Sequence, residues 1–250
     1  MNMRIKIPNR PIGSRVSGIG VYRPEKIVKN DEIAPLINSS DQWIKERSGI
    51  QERRFAQNHE TIVSMAVHAC KNAIQESKID PLEIDLVILA TATNPAQLPN
   101  LAMEIAFKIG ATNAGAYDIG AACSGFSYGL AIASESILAG DSRNAIIVGS
   151  ERMTDFVSQT DRGTAFLFAD GAGAFVVSQS DFFGISAPTW GADGSLNDWI
   201  CMTNDWINYS KNKESDFPSL KMECQKVFRW AITEMVEVAK NTLKKAGITS

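Results

Sequence analysis

Among the side chains of this 250-residue chain, Cys123 has the surroundings best suited to covalent chemistry. It lies in Asp118-Ile119-Gly120-Ala121-Ala122-Cys123-Ser124-Gly125-Phe126-Ser127-Tyr128-Gly129. The stretch before it, Gly115 to Ile119, predicts a short buried strand. The stretch after it, Ser124 to Ala139, predicts a helix closed by Gly140. A thiol at such an elbow faces unpaired backbone N–H groups and the positive end of the helix dipole, which favours thiolate. The small Gly120, Ala121 and Ala122 leave room for a substrate carbonyl to approach and for an N–H to hold its oxyanion. Acyl transfer through a covalent intermediate is the chemistry this arrangement invites. A cysteine packed as a small hydrophobe would do none of it, and the elbow is what separates the two readings.

The other reactive residue types are sparse. Cys70, Cys201 and Cys224 form no C-x-x-C pair and no metal-ligand spacing with His59 and His68. No metal site is expected, and free thiols point to a reducing compartment. His59 lies in a polar run and reads as solvated. His68 falls mid-helix and reads as packed or partly exposed. Gly171-Ala172-Gly173 lacks the later glycine and the lysine of a phosphate loop, so a tight hairpin is expected there.

The elements that must position Cys123 follow from periodicity. Val16 to Tyr22 predicts a first strand stopped by Pro24. Asn30–Leu36 and Ser40–Glu46 predict short helices opened by Asn30 and Ser40. Thr61–Ser77 has a helical period, and Ile84–Thr91 is an apolar run suited to a strand covered on both faces. Leu98–Ile109 predicts a helix ended by Gly110, and Asn144–Ser150 a strand. Alternating strands and helices imply a mainly parallel sheet with helices on both faces. Further on, an apolar strand precedes the glycine hairpin, Ala174–Ser178 and Gly184–Trp190 read as strands, and Asn197–Pro218 as a polar loop. Ser219–Ala246 reads as one long helix, with apolar residues at 227, 228, 231, 232, 235, 236, 239 and 243. A parallel strand is expected after Ile248 to cover that stripe.

Composition bounds the partners. With 44% hydrophobic and 21% charged residues, the chain is of ordinary globular type and long enough for a sizeable core. A formal charge of −3 argues against nucleic acid as the main partner. No apolar run reaches membrane-spanning length. Residues 1–13 read as an irregular leader without the apolar segment of a secretory signal, so a cytoplasmic location is expected.

Several motifs, in one order from about Ser14 onward, resemble β-ketoacyl-acyl-carrier-protein synthase III of the thiolase superfamily. They are Ser40-Asp41-Gln42-Trp43-Ile44 with Arg47-Ser48-Gly49-Ile50, Asp118 to Phe126, Thr160-Asp161-Arg162-Gly163-Thr164, and Val227-Phe228-Arg229-Trp230-Ala231. The resemblance implies a thiolase-like α/β fold of two βαβαβ-type halves. Residues 1–180 would form the half bearing the nucleophile, and 181–250 an incomplete second half. It implies a homodimer, no cofactor, and Cys123 acylated by an acyl-CoA primer. Malonyl-acyl-carrier protein then loses carbon dioxide, and the carbanion attacks the thioester, initiating fatty-acid synthesis.

Residue by residue, the resemblance implies that Trp43 and Arg162 sandwich the CoA adenine and that Arg47 reaches the pantetheine or its phosphates. Phe168 would line the acyl tunnel. Leu98 stands where many relatives place a phenylalanine that closes the partner subunit's acyl pocket. Arg229, Lys226 and Lys221 would dock the acidic carrier protein. Cys224 stands where relatives commonly carry glycine, so its side chain could crowd the pantetheine channel. The family's catalytic histidine and asparagine fall beyond residue 250. Two alternatives stay open: a secondary-pathway acyl-CoA ketosynthase or hydroxymethylglutaryl-CoA-type synthase, and a catalytically impaired, CoA-binding fragment.

Overall fold

The computed structural model describes residues 9–248 except Lys213 and Ser215, so most of the expected leader lies outside it. In chain order the strands are β1 (Gly13–Tyr22), β2 (Lys26–Lys29), β3 (Glu52–Phe55), β4 (Leu86–Ala90), β5 (Gly115–Ile119), β6 (Asn144–Arg152), β7 (Asp170–Ser180), β8 (Ile200–Met202) and β9 (Leu220–Met222). The α-helices are α1 (Asn30–Ile33), α2 (Asp41–Ser48), α3 (Ile62–Ser77), α4 (Ala102–Ile109), α5 (Gly125–Ala139), α6 (Trp206–Lys211) and α7 (Cys224–Lys245). Packing divides the chain into two interleaved units: residues 1–23, 58–151 and 171–186, and residues 24–57, 152–170 and 187–250. These units divide the chain by contact. The two halves expected from motif order concern repeated topology, which is a different partition.

The first unit is built on a five-stranded sheet of order β1-β7-β6-β4-β5. β4 pairs in parallel with both β5 and β6, whereas β1 pairs antiparallel with β7, so the sheet is mixed rather than mainly parallel. The two-residue side-chain period of a strand sorts its apolar residues between two cores. Val87, Leu89, Ile146, Val148 and Val176 join Ala66, Cys70 and Ala73 of α3 and Ile105 of α4. Ile88, Ala90, Ala145, Ile147 and Val177 join Ala133 and Ile137 of α5. The apolar run at Ile84–Thr91 is therefore a strand covered on both faces, as its composition requires.

The approach of α3 to β1 is unusually close. A Cβ on Gly18 would come within 2.1 Å of the Ala73 carbonyl oxygen, and one on Gly20 within 2.0 Å of that of Ala69. Only glycine fits there. The same helix also satisfies the outer edge of β1, where Ile19 N–H donates to Glu76 and Asn72 donates to the Val21 carbonyl.

The second unit contains the antiparallel pair β2–β3, the helices α1 and α2 that connect its two strands, and the segment 152–170. Val28, Ile33, Ala34, Ile37, Ile44, Ala165 and Phe166 form its core, with Trp43, Ile50 and Phe55 packed against it. β8 and β9 pair antiparallel. The Leu220 N–H donates to the Phe156 carbonyl at 2.7 Å, and Trp206 stacks edge-on between Phe156 and Phe217.

Several elements depart from expectation. Asn30 does not cap α1; Lys29 occupies the cap position, and Asn30 is buried with its side chain engaged elsewhere. The segment Thr160–Phe168 is a run of turns rather than a strand. Gly171-Ala172-Gly173 forms no hairpin but continues through β7, where Ala172 and Gly173 pair with Tyr22 and Val21 of β1. Gly184–Trp190 carries no strand. Asn197–Pro218 holds β8 and α6. The last helix begins at Cys224, after β9, rather than at Ser219.

Candidate active site

β5 ends at Ile119, and a single 3₁₀ turn, Ala122–Ser124, leads into α5. The strand-to-helix elbow expected for Cys123 is present, and its thiol is exposed. The preceding residue holds the strain: Ala122 adopts φ +44°, a left-handed conformation that an L side chain rarely takes. Packing fixes the start of α5. A Cβ on Gly125 would lie 3.1 Å from the Ala90 methyl, and one on Gly129 would lie 2.1 Å from Ile147 Cδ1. Behind the nucleophile, Phe126 stacks edge-on against Phe175 at 5.0 Å.

Two carboxylates brace the neighbouring loops. Asp118, in β5, accepts from the Leu101 N–H at 2.9 Å and the Ala102 N–H at 2.8 Å, so it caps the start of α4. Glu151, near the end of β6, accepts from the Ala92 N–H at 2.8 Å, the Thr91 hydroxyl at 3.1 Å and the Thr93 hydroxyl. Burial pushes its pKa up against the lowering effect of those donors. Sequence reading assigned Glu151 no role. Its position at the close of an apolar strand was the available signal, but the three donors come from a loop some sixty residues away.

The loop between β4 and α4 carries Leu98, which is 83% exposed. His59 is exposed before α3; His68 lies on α3 and stacks on Tyr22 at 5.1 Å. Cys70 is wholly buried, which pushes its thiol far up. Among the described residues, no group of three or more His, Cys, Asp or Glu could hold a metal ion.

In the second unit, the residues expected at the CoA nucleotide converge on one indole. Ser40 caps α2 by accepting from the Trp43 N–H at 3.1 Å, which orients the helix carrying Trp43 and Arg47. The guanidinium carbon of Arg47 lies 4.5 Å from the Trp43 ring centroid, and that of Arg162 lies 4.6 Å from it. Both are at cation–π distance. Phe166 meets the same indole edge-on at 5.4 Å. A base sandwiched between Trp43 and Arg162 needs two van der Waals contacts, about 7 Å in all. Arg162 must therefore swing outward for a sandwich to form.

The turn that presents Arg162 is built by Asp161. Its carboxylate accepts from the Gly163 N–H at 2.9 Å and the Thr164 hydroxyl at 2.6 Å, while its carbonyl accepts from the Ala165 N–H at 3.0 Å. Phe168 is half-buried at the end of this segment. Lys221 and Lys226 each lie 3.8 Å from Glu223, and Lys226 and Arg229 occupy the exposed first turns of α7.

Comparison with known proteins places these features in context. Residues 117–194 match the profile of the family described as 3-oxoacyl-[acyl-carrier-protein (ACP)] synthase III. The chain is 42% identical over 245 residues to the β-ketoacyl-[acyl-carrier-protein] synthase III of Streptomyces lividans, covering 98% of this chain and 72% of that one. It is 41% identical over 230 residues to the mycobacterial β-ketoacyl-[acyl-carrier-protein] synthase III of Mycobacterium marinum, covering 92% and 69%. Among solved structures, the priming β-ketosynthase of the R1128 polyketide biosynthetic pathway matches with a TM-score of 0.95 and 42% identity, covering 100% of this chain and 74% of that one. The 3-oxoacyl-[acyl-carrier-protein] synthase III of Aquifex aeolicus VF5 matches with a TM-score of 0.85 and 36% identity, covering 95% and 73%.

Proposed function

The chain belongs to the β-ketoacyl-acyl-carrier-protein synthase III family, and from that premise we propose how its own residues carry the family reaction. The fold is thiolase-like α/β. The activity is that of a condensing acyltransferase, which joins an acyl-CoA primer to malonyl-acyl-carrier protein without a separate cofactor. Within our reading, the Cys123 thiolate attacks the primer thioester carbonyl and CoA thiol leaves. Malonyl-carrier protein then releases carbon dioxide. The carbanion attacks the Cys123 thioester, giving β-ketoacyl-carrier protein and freeing the thiolate.

The observation that carries this assignment is the exposed thiol at a strained elbow, directly after the left-handed Ala122. Trp43, Arg47 and Arg162 hold the CoA nucleotide, which suits an indole flanked by two guanidiniums. Phe168 lines the acyl tunnel, and Leu98 stands where many relatives place a residue that closes the partner subunit's acyl pocket. Lys221, Lys226 and Arg229 receive the carrier protein, and residues 181–250 begin the second thiolase-like half. The chain works as a cytoplasmic homodimer. β5 ends the sheet order, and the exposed Leu98, Met103 and Phe107 supply apolar surface for a second copy. No helix among the described residues is long and apolar enough to cross a membrane.

The test is to incubate the purified protein with radiolabelled acetyl-CoA and map the label by peptide digestion. Label on the Cys123 peptide, lost in Cys123→Ser, is the expected result; label elsewhere overturns the assignment. The 42% likeness to a polyketide priming ketosynthase favours a second reading, a primer-loading enzyme of a secondary pathway. Competition between acetyl-CoA and longer or branched acyl-CoAs separates the two.

A further inference from the structure

Arg162 owes its place to a turn, and that turn rests on a side chain from another element. The Cys224 thiol, at the start of α7, donates to the Gly163 carbonyl at 3.5 Å and also lies 3.5 Å from the Met222 carbonyl. On its other side, a Cβ added to Gly163 would come within 2.9 Å of Cys224 Sγ. The sulfur therefore fills the space beside Gly163 and binds its backbone at once. Inside the turn, Asp161 holds Gly163 N–H and the Thr164 hydroxyl, so Gly163 is gripped through its N–H by Asp161 and through its C=O by Cys224. Burial and the Asp161 charge raise the Cys224 pKa, which keeps the thiol protonated and able to donate. The start of α7 is itself anchored: Glu223 N–H donates to the Trp199 carbonyl at 2.8 Å, and Lys226 lies 5.8 Å over the Trp199 ring.

We propose that Cys224 is a positioning residue for acyl-CoA: its thiol buttresses the Asp161–Thr164 turn and thereby sets where Arg162 meets Trp43. The inference rests on the reading of Trp43 and Arg162 as the nucleotide clamp. It turns a side chain expected to crowd the pantetheine channel into one that shapes the clamp. Because part of the contact is a fit between one sulfur and one missing methyl, exchanging the two groups should preserve that packing but not the hydrogen bond.

The experiment measures acetyl-CoA affinity by calorimetry, with melting temperature alongside, for Cys224→Gly, Cys224→Ser, Gly163→Ala and the Gly163→Ala/Cys224→Gly pair. Cys224→Gly and Gly163→Ala are each expected to weaken binding by about 5-fold, the size of one lost hydrogen bond or contact. Cys224→Ser retains a donor and should stay within about 2-fold of the parent. The paired variant, in which the methyl introduced by Gly163→Ala would occupy the vacated space without restoring the donor, should bind more tightly than the product of its singles. Unchanged affinity in Cys224→Gly overturns the proposal. So does a paired variant as weak as the product of its singles. If Gly163→Ala fails to fold, the Gly and Ser replacements at 224 decide the matter between them. Arg162→Ala is the control: if it binds acetyl-CoA as the parent does, the clamp reading falls and the proposal falls with it. If Arg162→Ala weakens binding while Cys224→Gly does not, the proposal alone falls.

Discussion

Arg53 donates to the side-chain oxygen of Asn30 at 2.6 Å, and the Asn30 amide donates onward to Asp41 at 2.8 Å. The same guanidinium donates to the Val28 and Phe166 carbonyls, and Asn30 also donates to the Ile50 carbonyl. This buried chain ties α2, which bears Trp43 and Arg47, to the segment that bears Arg162 and Phe166. Arg53 is only 6% exposed, so its charge depends on these acceptors.

Replacing Asn30 with Ala removes one acceptor from a buried cation and one donor from Asp41. A hydrogen bond to a charged group contributes about 1.5–3 kcal/mol, and a loss of that size is expected in denaturant unfolding. A loss below about 0.5 kcal/mol would show that Arg53 finds another acceptor.

The four cysteines should react in an order set by exposure. Cys123 is exposed, Cys201 and Cys224 are partly exposed, and Cys70 is buried with its thiol pushed far up. Limited iodoacetamide labelling at neutral pH should modify Cys123 first, by about 10-fold or more, and Cys70 last. Earlier modification of Cys201 or Cys224 in folded protein removes the physical basis for Cys123 as nucleophile.

Glu151 gives a pH signature. Burial raises its pKa above the ordinary value of 4.5, so the folded state binds its proton more tightly than the unfolded state does. Its contribution is fully present below pH 4.5 and is lost as pH rises through the raised value. Glu151→Gln lacks this titration. The stability of the parent relative to that variant should therefore fall as pH rises from 4.5 and then level off. A parallel pH course for the two proteins would falsify the assignment.

Trp43→Ala should weaken acetyl-CoA binding several-fold without unfolding the protein, since a cation–π or stacking contact contributes about 0.5–2 kcal/mol. Equal affinity in Trp43→Ala and the parent would place the nucleotide elsewhere.

A polypeptide limited to residues 1–250 should accept an acetyl group on Cys123 yet condense it poorly. The resemblance implies that the histidine and asparagine with which the family stabilises the enolate are not among these residues, and losing one such donor costs about 100- to 1000-fold in rate. Following radiolabel from acetyl-CoA into β-ketoacyl product measures this directly. Efficient product formation would mean that residues within 1–250 supply those donors.

What could be read from the sequence was whatever local pattern decides. β5 lies at Gly115–Ile119 as expected, although at the end of the sheet it is half-buried rather than buried, and Ser40 caps α2 as its residue type predicts. The motifs around Trp43, Cys123 and Arg162 were equally visible. What could not be read depends on distant partners. Gly171 and Gly173 suit a turn by type, yet both lie within β7, where Gly173 pairs with Val21 of β1. Asn30 suits a cap by type, but Arg53, 23 residues away, engages it instead. Phe156, Trp206 and Phe217 look like scattered aromatics in a polar stretch, and only folding gathers them.

The backbone contact between α3 and the glycines of β1 has a mechanical consequence. Most helices ride on a sheet through a cushion of side chains, whose rotamers let the two layers slide slightly. At Gly18 and Gly20 that cushion is missing, because the carbonyls of Ala73 and Ala69 occupy the places of the side chains. Helix and strand therefore form a single stiff beam. A larger residue at either position cannot be absorbed by local repacking; it must push the whole helix away and strip the outer edge of β1 of the Asn72 and Glu76 side chains that complete it.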